Sequence, residues 1–179
     1  MVIDEPVLHL ASAAGLALLL GSAGVHKLRH WREFSVIFGD YNAALGSLLP
    51  AWIAGLLPVL ELLAAGAVLA SPWQPDAALP AVFLFGLYVA VLAVAARRGS
   101  SIADCGCHFS GRSQPPGRAL VLRNLLLLLP ALNLLSPMGN RSLTWFDGVT
   151  LIFVLAGSVA LYALAHLLIS NRAVVGERT

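Results

Sequence analysis

Long apolar stretches broken by short polar segments recur five times along the chain. They run roughly from Val7 to Val25, Leu49 to Ala70, Ala77 to Ala96, Ala119 to Leu135 and Trp145 to Ile169. Each is long enough, or nearly so, to cross about 30 Å of hydrocarbon at ~1.5 Å of helix per residue. The pattern predicts an all-α fold: a polytopic membrane helical bundle of about five transmembrane helices, a four-helix core plus one, in a single integral membrane domain over 1–179. The fourth stretch is the shortest. It carries Arg123, Asn124 and Asn133 and is interrupted by Pro130, so a re-entrant or kinked segment is the alternative to a straight span.

Between the first two stretches the period changes. Trp31, Phe34, Phe38 and Tyr41 recur at three- and four-residue steps while Arg29, Arg32 and Glu33 lie off that stripe, the pattern of a short amphipathic helix lying in the membrane interface. Its aromatic face serves either as a depth anchor or as a surface for a partner or a quinone. Pro75-Asp76 and Thr144 to Asp147 read as helix openings. The first apolar stretch follows Asp4 and Glu5 rather than lysine or arginine, the reverse of a signal peptide, and is expected to be a retained helix.

Composition agrees with the pattern. Hydrophobic residues make up 59% of the chain and charged residues 11%, well outside the range of soluble globular proteins, and the mean hydropathy is +0.84. The expected surroundings are a lipid bilayer, with no nucleic-acid partner. Lys27, Arg29, Arg32, Arg97, Arg98, Arg112, Arg118, Arg123, Arg172 and Arg178 fall on one side of the predicted topology and Arg141 alone on the other. By the positive-inside rule the amino terminus lies outside and the carboxyl terminus in the cytoplasm of a multi-pass protein of the bacterial inner membrane.

The candidate chemistry lies in the segment 100–117, rich in Gly, Ser and Pro, which carries the chain's two cysteines as Cys105-Gly106-Cys107. A thiol acts as nucleophile or metal ligand only as the thiolate. Arg97, Arg98, Arg112 and His108 provide the positive surroundings that favour that form. A disulfide closed across one residue is strained and therefore easily reduced or passed on. The pair thus reads as a redox centre with Cys105 and Cys107 catalytic, and Cys107, beside His108, preferred as nucleophile. Incidental or structural cysteines are one alternative. Another is capture of copper or a heavy metal by both sulfurs with His108 as third donor.

Ionisable groups inside the apolar stretches complete the site. Glu61 falls near the middle of the second stretch, one turn after Pro58, where an unpartnered charge is costly. Packing that brings Lys27 or Arg123 toward it creates a buried polar cluster beneath the cysteine loop. The Glu61 carboxylate then either relays protons for the dithiol, as a catalytic group beside Cys105, Cys107 and His108, or hydrogen-bonds a quinone, with Lys27, Arg123 and Asn124 as the binding residues; the alternative is a structural ion pair. His9 and His166 lie near helix ends and read as packed or interfacial side chains.

Several of these residues resemble a known family. Lys27-Leu28, Phe34, Tyr41, Leu49-Pro50, Pro58 with Glu61, Cys105-Gly106-Cys107 ahead of Gly111, and Arg123-Asn124 are similar to the pattern of the MauE family, within the MauE/DoxX group of redox-associated membrane proteins. The similarity covers about residues 10–135. In that family the second cysteine is usually followed by Phe-Gly, whereas here the segment reads Cys-His-Phe-Ser-Gly. The resemblance implies a helper in forming or protecting disulfides of an exported, cysteine-containing enzyme, working with a thioredoxin-like protein. The expected activity is thiol-disulfide oxidoreduction, with a membrane quinone as one possible electron acceptor. A soft-metal carrier and a non-catalytic subunit of a larger membrane complex are the competing classes. A loop facing the cytoplasm cannot oxidise an exported substrate directly, so the charge count and the implied role pull in opposite directions.

Overall fold

A computed structural model describes residues 4–97 and 118–176. Among these residues six α-helices follow one another: α1 (Pro6–Arg29), α2 (Trp31–Ala44), α3 (Trp52–Ala70), α4 (Leu79–Arg97), α5 (Arg118–Asn133) and α6 (Trp145–Gly176). A single turn of 3-10 helix, Pro75–Ala78, leads into α4. Pro6–Arg29, Trp52–Ala70 and Pro75–Arg97 are long and apolar enough to cross a membrane. Leu120–Asn133 and Trp145–Leu161 are shorter apolar helices. The protein is a polytopic helical membrane protein, as the hydrophobic pattern predicts.

α1 continues past Val25, where its apolar stretch ends, because Lys27 points inward and is neutralised by α3. His30, outside helical geometry, then turns the chain into α2. α5 runs unbroken through Pro130, and its sixteen residues rise only ~24 Å.

Small side chains let α1 and α3 approach closely. Ala13, Ala17 and Gly21 form one stripe of α1, and a methyl placed on Gly21 would meet the Cβ of Ala65 at 3.7 Å. At Gly24 the backbones come closer still: a Cβ there would lie 3.0 Å from the Pro58 carbonyl oxygen and 3.0 Å from Leu62. Without a strong hydrophobic force between helices in lipid, such fits carry much of the association. Leu16, Leu20, Ala64, Val68, Ala81, Leu84, Phe85, Ala131 and Leu134 extend this core into α4 and α5. α6 packs on the far side of α1.

Polar groups close the ends of the bundle. Between α2 and α3 the Asn42 amide pairs with the Leu49 backbone, donating to its carbonyl at 2.7 Å and accepting from its N–H at 2.8 Å. This closes a tight loop in which Gly46 (φ 87°) and Ser47 (φ 56°) take the left-handed conformation. At the opposite end Asp147, in the first turn of α6, accepts from the backbone N–H and the hydroxyl of Thr144 at 2.6 and 2.9 Å, which caps the helix. Arg141 bonds the same carboxylate through two nitrogens and also pairs with Glu5, and these two anionic partners hold its pKa above the ordinary arginine value. Pro75 opens its turn without a side-chain cap.

Candidate functional site

The antiparallel packing of α1 on α3 sets Lys27, near the end of α1, beside Glu61, at the middle of α3. Lys27 is 2% exposed and Glu61 fully buried, and the Lys27 ammonium donates to Glu61 Oε1. The hydroxyl of Tyr88, at the middle of α4, donates to the same oxygen and accepts from Lys27 Nζ at 3.1 Å. Lys27 also sits over the rings of Tyr88 (5.0 Å to the centroid) and Phe34 (5.4 Å). An ammonium and a carboxylate taken out of water need this combination of mutual charge and additional hydrogen bonds. The triad is electrically neutral as a unit.

α2 turns back from the end of α1 and packs against α1 and α4. Phe34 and Tyr41 are buried and Phe38 partly so, each one or two helical turns from the next, so the aromatic stripe lies on the bundle; Trp31, at its start, stays exposed. Beneath α2 lies a cavity of about 220 Å³ whose walls are almost wholly apolar, with Phe34, Phe38, Tyr41, Ile53 and Leu92 among its lining residues. Its polar groups include Lys27, Tyr88 and Asn124 of α5, while Glu61 lies behind Lys27 and Tyr88. Asn124 is buried, and its amide donates to the Leu120 carbonyl at 3.0 Å. Tyr41, Leu92, Ala95 and Leu120 form a small core next to the cavity, joining α2 to the last turns of α4 and the first turns of α5.

The structure thus brings together Lys27 and Glu61 and places Asn124 on the wall of the adjoining cavity. Arg123, one residue earlier on α5, is half-buried and is not among the lining residues. Cys105, Cys107 and His108 lie outside the described residues, as does the rest of the segment 98–117. Its two ends, Arg97 and Arg118, are on the same side of the bundle as the cavity. Tyr88 is the member that sequence reasoning missed. Its signal was present: before Arg97 it is the only residue of α4 with a polar side chain, and it sits at the same position in its helix as Glu61 does in α3. His9, fully buried near the other end of α1, comes within 3.4 Å of the Asn133 amide, a packed side chain as expected. Among the described residues no group of three or more His, Cys, Asp or Glu side chains is placed to hold a metal ion.

Comparison with known proteins gives one consistent match. The family described as methylamine utilisation protein MauE matches residues 5–137. A methylamine utilization protein MauE of Paracoccus denitrificans is 34% identical over 167 residues, covering 92% of this chain and 88% of that protein. Its counterpart in Methylorubrum extorquens is 36% identical over 140 residues, covering 74% and 71% respectively. No solved structure matches the chain. The matched region runs through α1 to α5 and so contains the triad, the cavity wall and the Cys-Gly-Cys segment alike; the chain belongs to the MauE family.

Proposed function

We propose that this protein is a membrane thiol-disulfide redox protein that supports the maturation of an exported cysteine-containing partner through Cys105 and Cys107, exchanging electrons with a thioredoxin-like protein. Closing the pair breaks two S–H bonds and forms one S–S bond, releasing two electrons and two protons. The observation that carries this reading is the neutral Lys27–Glu61–Tyr88 cluster, buried beneath the helix ends that bracket the Cys-Gly-Cys segment. Such a cluster suits proton movement because each member has a hydrogen-bonded neighbour to receive or supply a proton. Chain length is compatible with it. Tyr88 lies nine residues before Arg97, about 13 Å of helix, and Cys105 follows Arg97 by eight residues, up to about 28 Å of extended chain. Similarity to methylamine utilization proteins supports a role in methylamine utilization.

Replacing one sulfur tests the reading, because the remaining thiol cannot release a mixed disulfide by closing on its neighbour. Expressed with its native partners, Cys105→Ser or Cys107→Ser should accumulate a covalent adduct that reductant dissolves, and metal analysis of the purified wild type should find no stoichiometric copper or zinc. If neither variant forms an adduct and the double variant supports partner maturation as wild type does, the thiol reading is wrong.

A further inference from the structure

We infer that the cavity beneath α2 binds the headgroup of a lipid-soluble quinone, with Lys27 presenting a hydrogen-bond donor to one of its carbonyl oxygens and Asn124 to the other. Size is the first reason. An apolar cavity of roughly 150 Å³ takes up a benzene ring, so about 220 Å³ admits one substituted six-membered ring and little more. Shape and lining are the second: Phe34, Phe38 and Tyr41 of α2 supply flat apolar surface, and Ile53, Leu57 and Leu92 supply the rest. The charge balance of the floor is the third. The ammonium of Lys27 faces its own carboxylate, so the floor is dipolar rather than cationic and favours a neutral acceptor over a phosphate or carboxylate ligand. An ammonium has three N–H groups, and Glu61 and Tyr88 take two of them among the described residues. On the α5 wall Asn124 gives one amide hydrogen to Leu120 and retains a second. A ring with an acceptor oxygen at each end uses both walls. The exposed apolar flanks of α3 and α4 outside the cavity, such as Leu56 and Phe83, leave an isoprenoid tail in lipid.

Binding follows from the cavity alone, whereas turnover rests on the dithiol reading above. In that step two S–H bonds break and one S–S bond forms. The two electrons and two protons pass to the quinone, whose two carbonyl oxygens each gain an O–H bond to give the quinol.

The test is equilibrium binding of a short-tailed benzoquinone to the full-length protein in phospholipid nanodiscs, with empty nanodiscs as blank. Wild type and the Cys105→Ser/Cys107→Ser double variant should both bind about one quinone per chain. Asn124→Leu should weaken binding about fivefold, the value of one neutral hydrogen bond. Ile53→Trp, which fills the cavity, should abolish it, and Ile37→Trp repeats that test from α2 in case the first substitution disturbs folding. Retention of the wild-type circular dichroism spectrum and elution volume defines a folded variant. Uptake no greater than that of empty nanodiscs, or folded tryptophan variants that bind as wild type does, overturns the inference. So does a phospholipid acyl chain that copurifies and is not displaced by added quinone. A wild type that binds quinone but yields no quinol when reduced and mixed with it refutes the dithiol reading and leaves the site intact.

Discussion

At the scale of single residues, the bundle depends on a charge pair that neither member could hold alone. Lys27 and Glu61 are almost completely buried and pair with each other, so removing one side chain deprives the other of an opposite charge in a medium of low dielectric constant. Lys27→Met and Glu61→Gln should therefore each destabilise the protein by about 3–5 kcal/mol, the usual cost of breaking a buried pair. The combined variant should recover much of that loss. Tyr88→Phe removes the hydroxyl that donates to Glu61 and accepts from Lys27 and should cost at least about 1.5–3 kcal/mol, the value of one hydrogen bond to a charged group. Reversible unfolding in detergent with a denaturing surfactant measures all four. Equal destabilisation by the single and double variants would mean that the pair contributes through packing rather than charge.

At the scale of elements, the crossing of α1 and α3 fixes where that pair meets, and Gly24 is its closest point. An alanine methyl there would press against the Pro58 carbonyl oxygen, a backbone atom that cannot turn aside, whereas the same change at Gly15 meets nothing within 4 Å. Gly24→Ala should lower stability by about 1–3 kcal/mol through overpacking, and Gly15→Ala should leave it unchanged or raise it by up to about 1 kcal/mol through helix propensity. Thermal unfolding of the two variants side by side checks the contrast. This crossing also shows how far the sequence could be read. The five apolar stretches and the amphipathic α2 were legible because hydrophobic periodicity and bilayer thickness act on each segment separately. What the aromatic face of α2 touches was not legible: periodicity tells which side is apolar, not which helices that side packs against. Lys27 stood beyond the predicted end of its helix because an isolated lysine is disfavoured in lipid, and the carboxylate that cancels the penalty lies thirty-four residues away. Glu61 was found by the same rule of cost, applied to a charge with apolar neighbours on both sides. Tyr88 escaped because a single hydroxyl carries little penalty and so little signal.

For the whole molecule, the side of the membrane that the cavity and the neighbouring ends of α4 and α5 face decides where electrons from the thiols can go. In the topology that the hydrophobic pattern predicts, ten of the eleven lysines and arginines fall on that side. Arg141, on the other, is engaged by Glu5 and Asp147. The positive-inside rule then predicts the Cys-Gly-Cys segment on the cytoplasmic side and Asn140 outside. A membrane-impermeant maleimide should label Cys105 and Cys107 only after cells are permeabilised. A cysteine introduced by Asn140→Cys into the Cys105→Ser/Cys107→Ser background should be labelled in intact cells. That pair of results excludes direct oxidation of an exported substrate and requires the protein to pass electrons between the cytoplasmic side and an acceptor in or across the membrane. A quinone in the cavity meets that requirement without moving the thiols through the bilayer, since the lipid phase is open to both surfaces. The reverse pattern, native cysteines labelled in intact cells and Asn140→Cys protected, inverts the topology and makes direct thiol exchange with an exported enzyme the simpler route. In that case the basic residues clustered around α1, α2 and the ends of α4 and α5 no longer act as an inside signal, and their remaining effect is to favour the thiolate in the segment they surround.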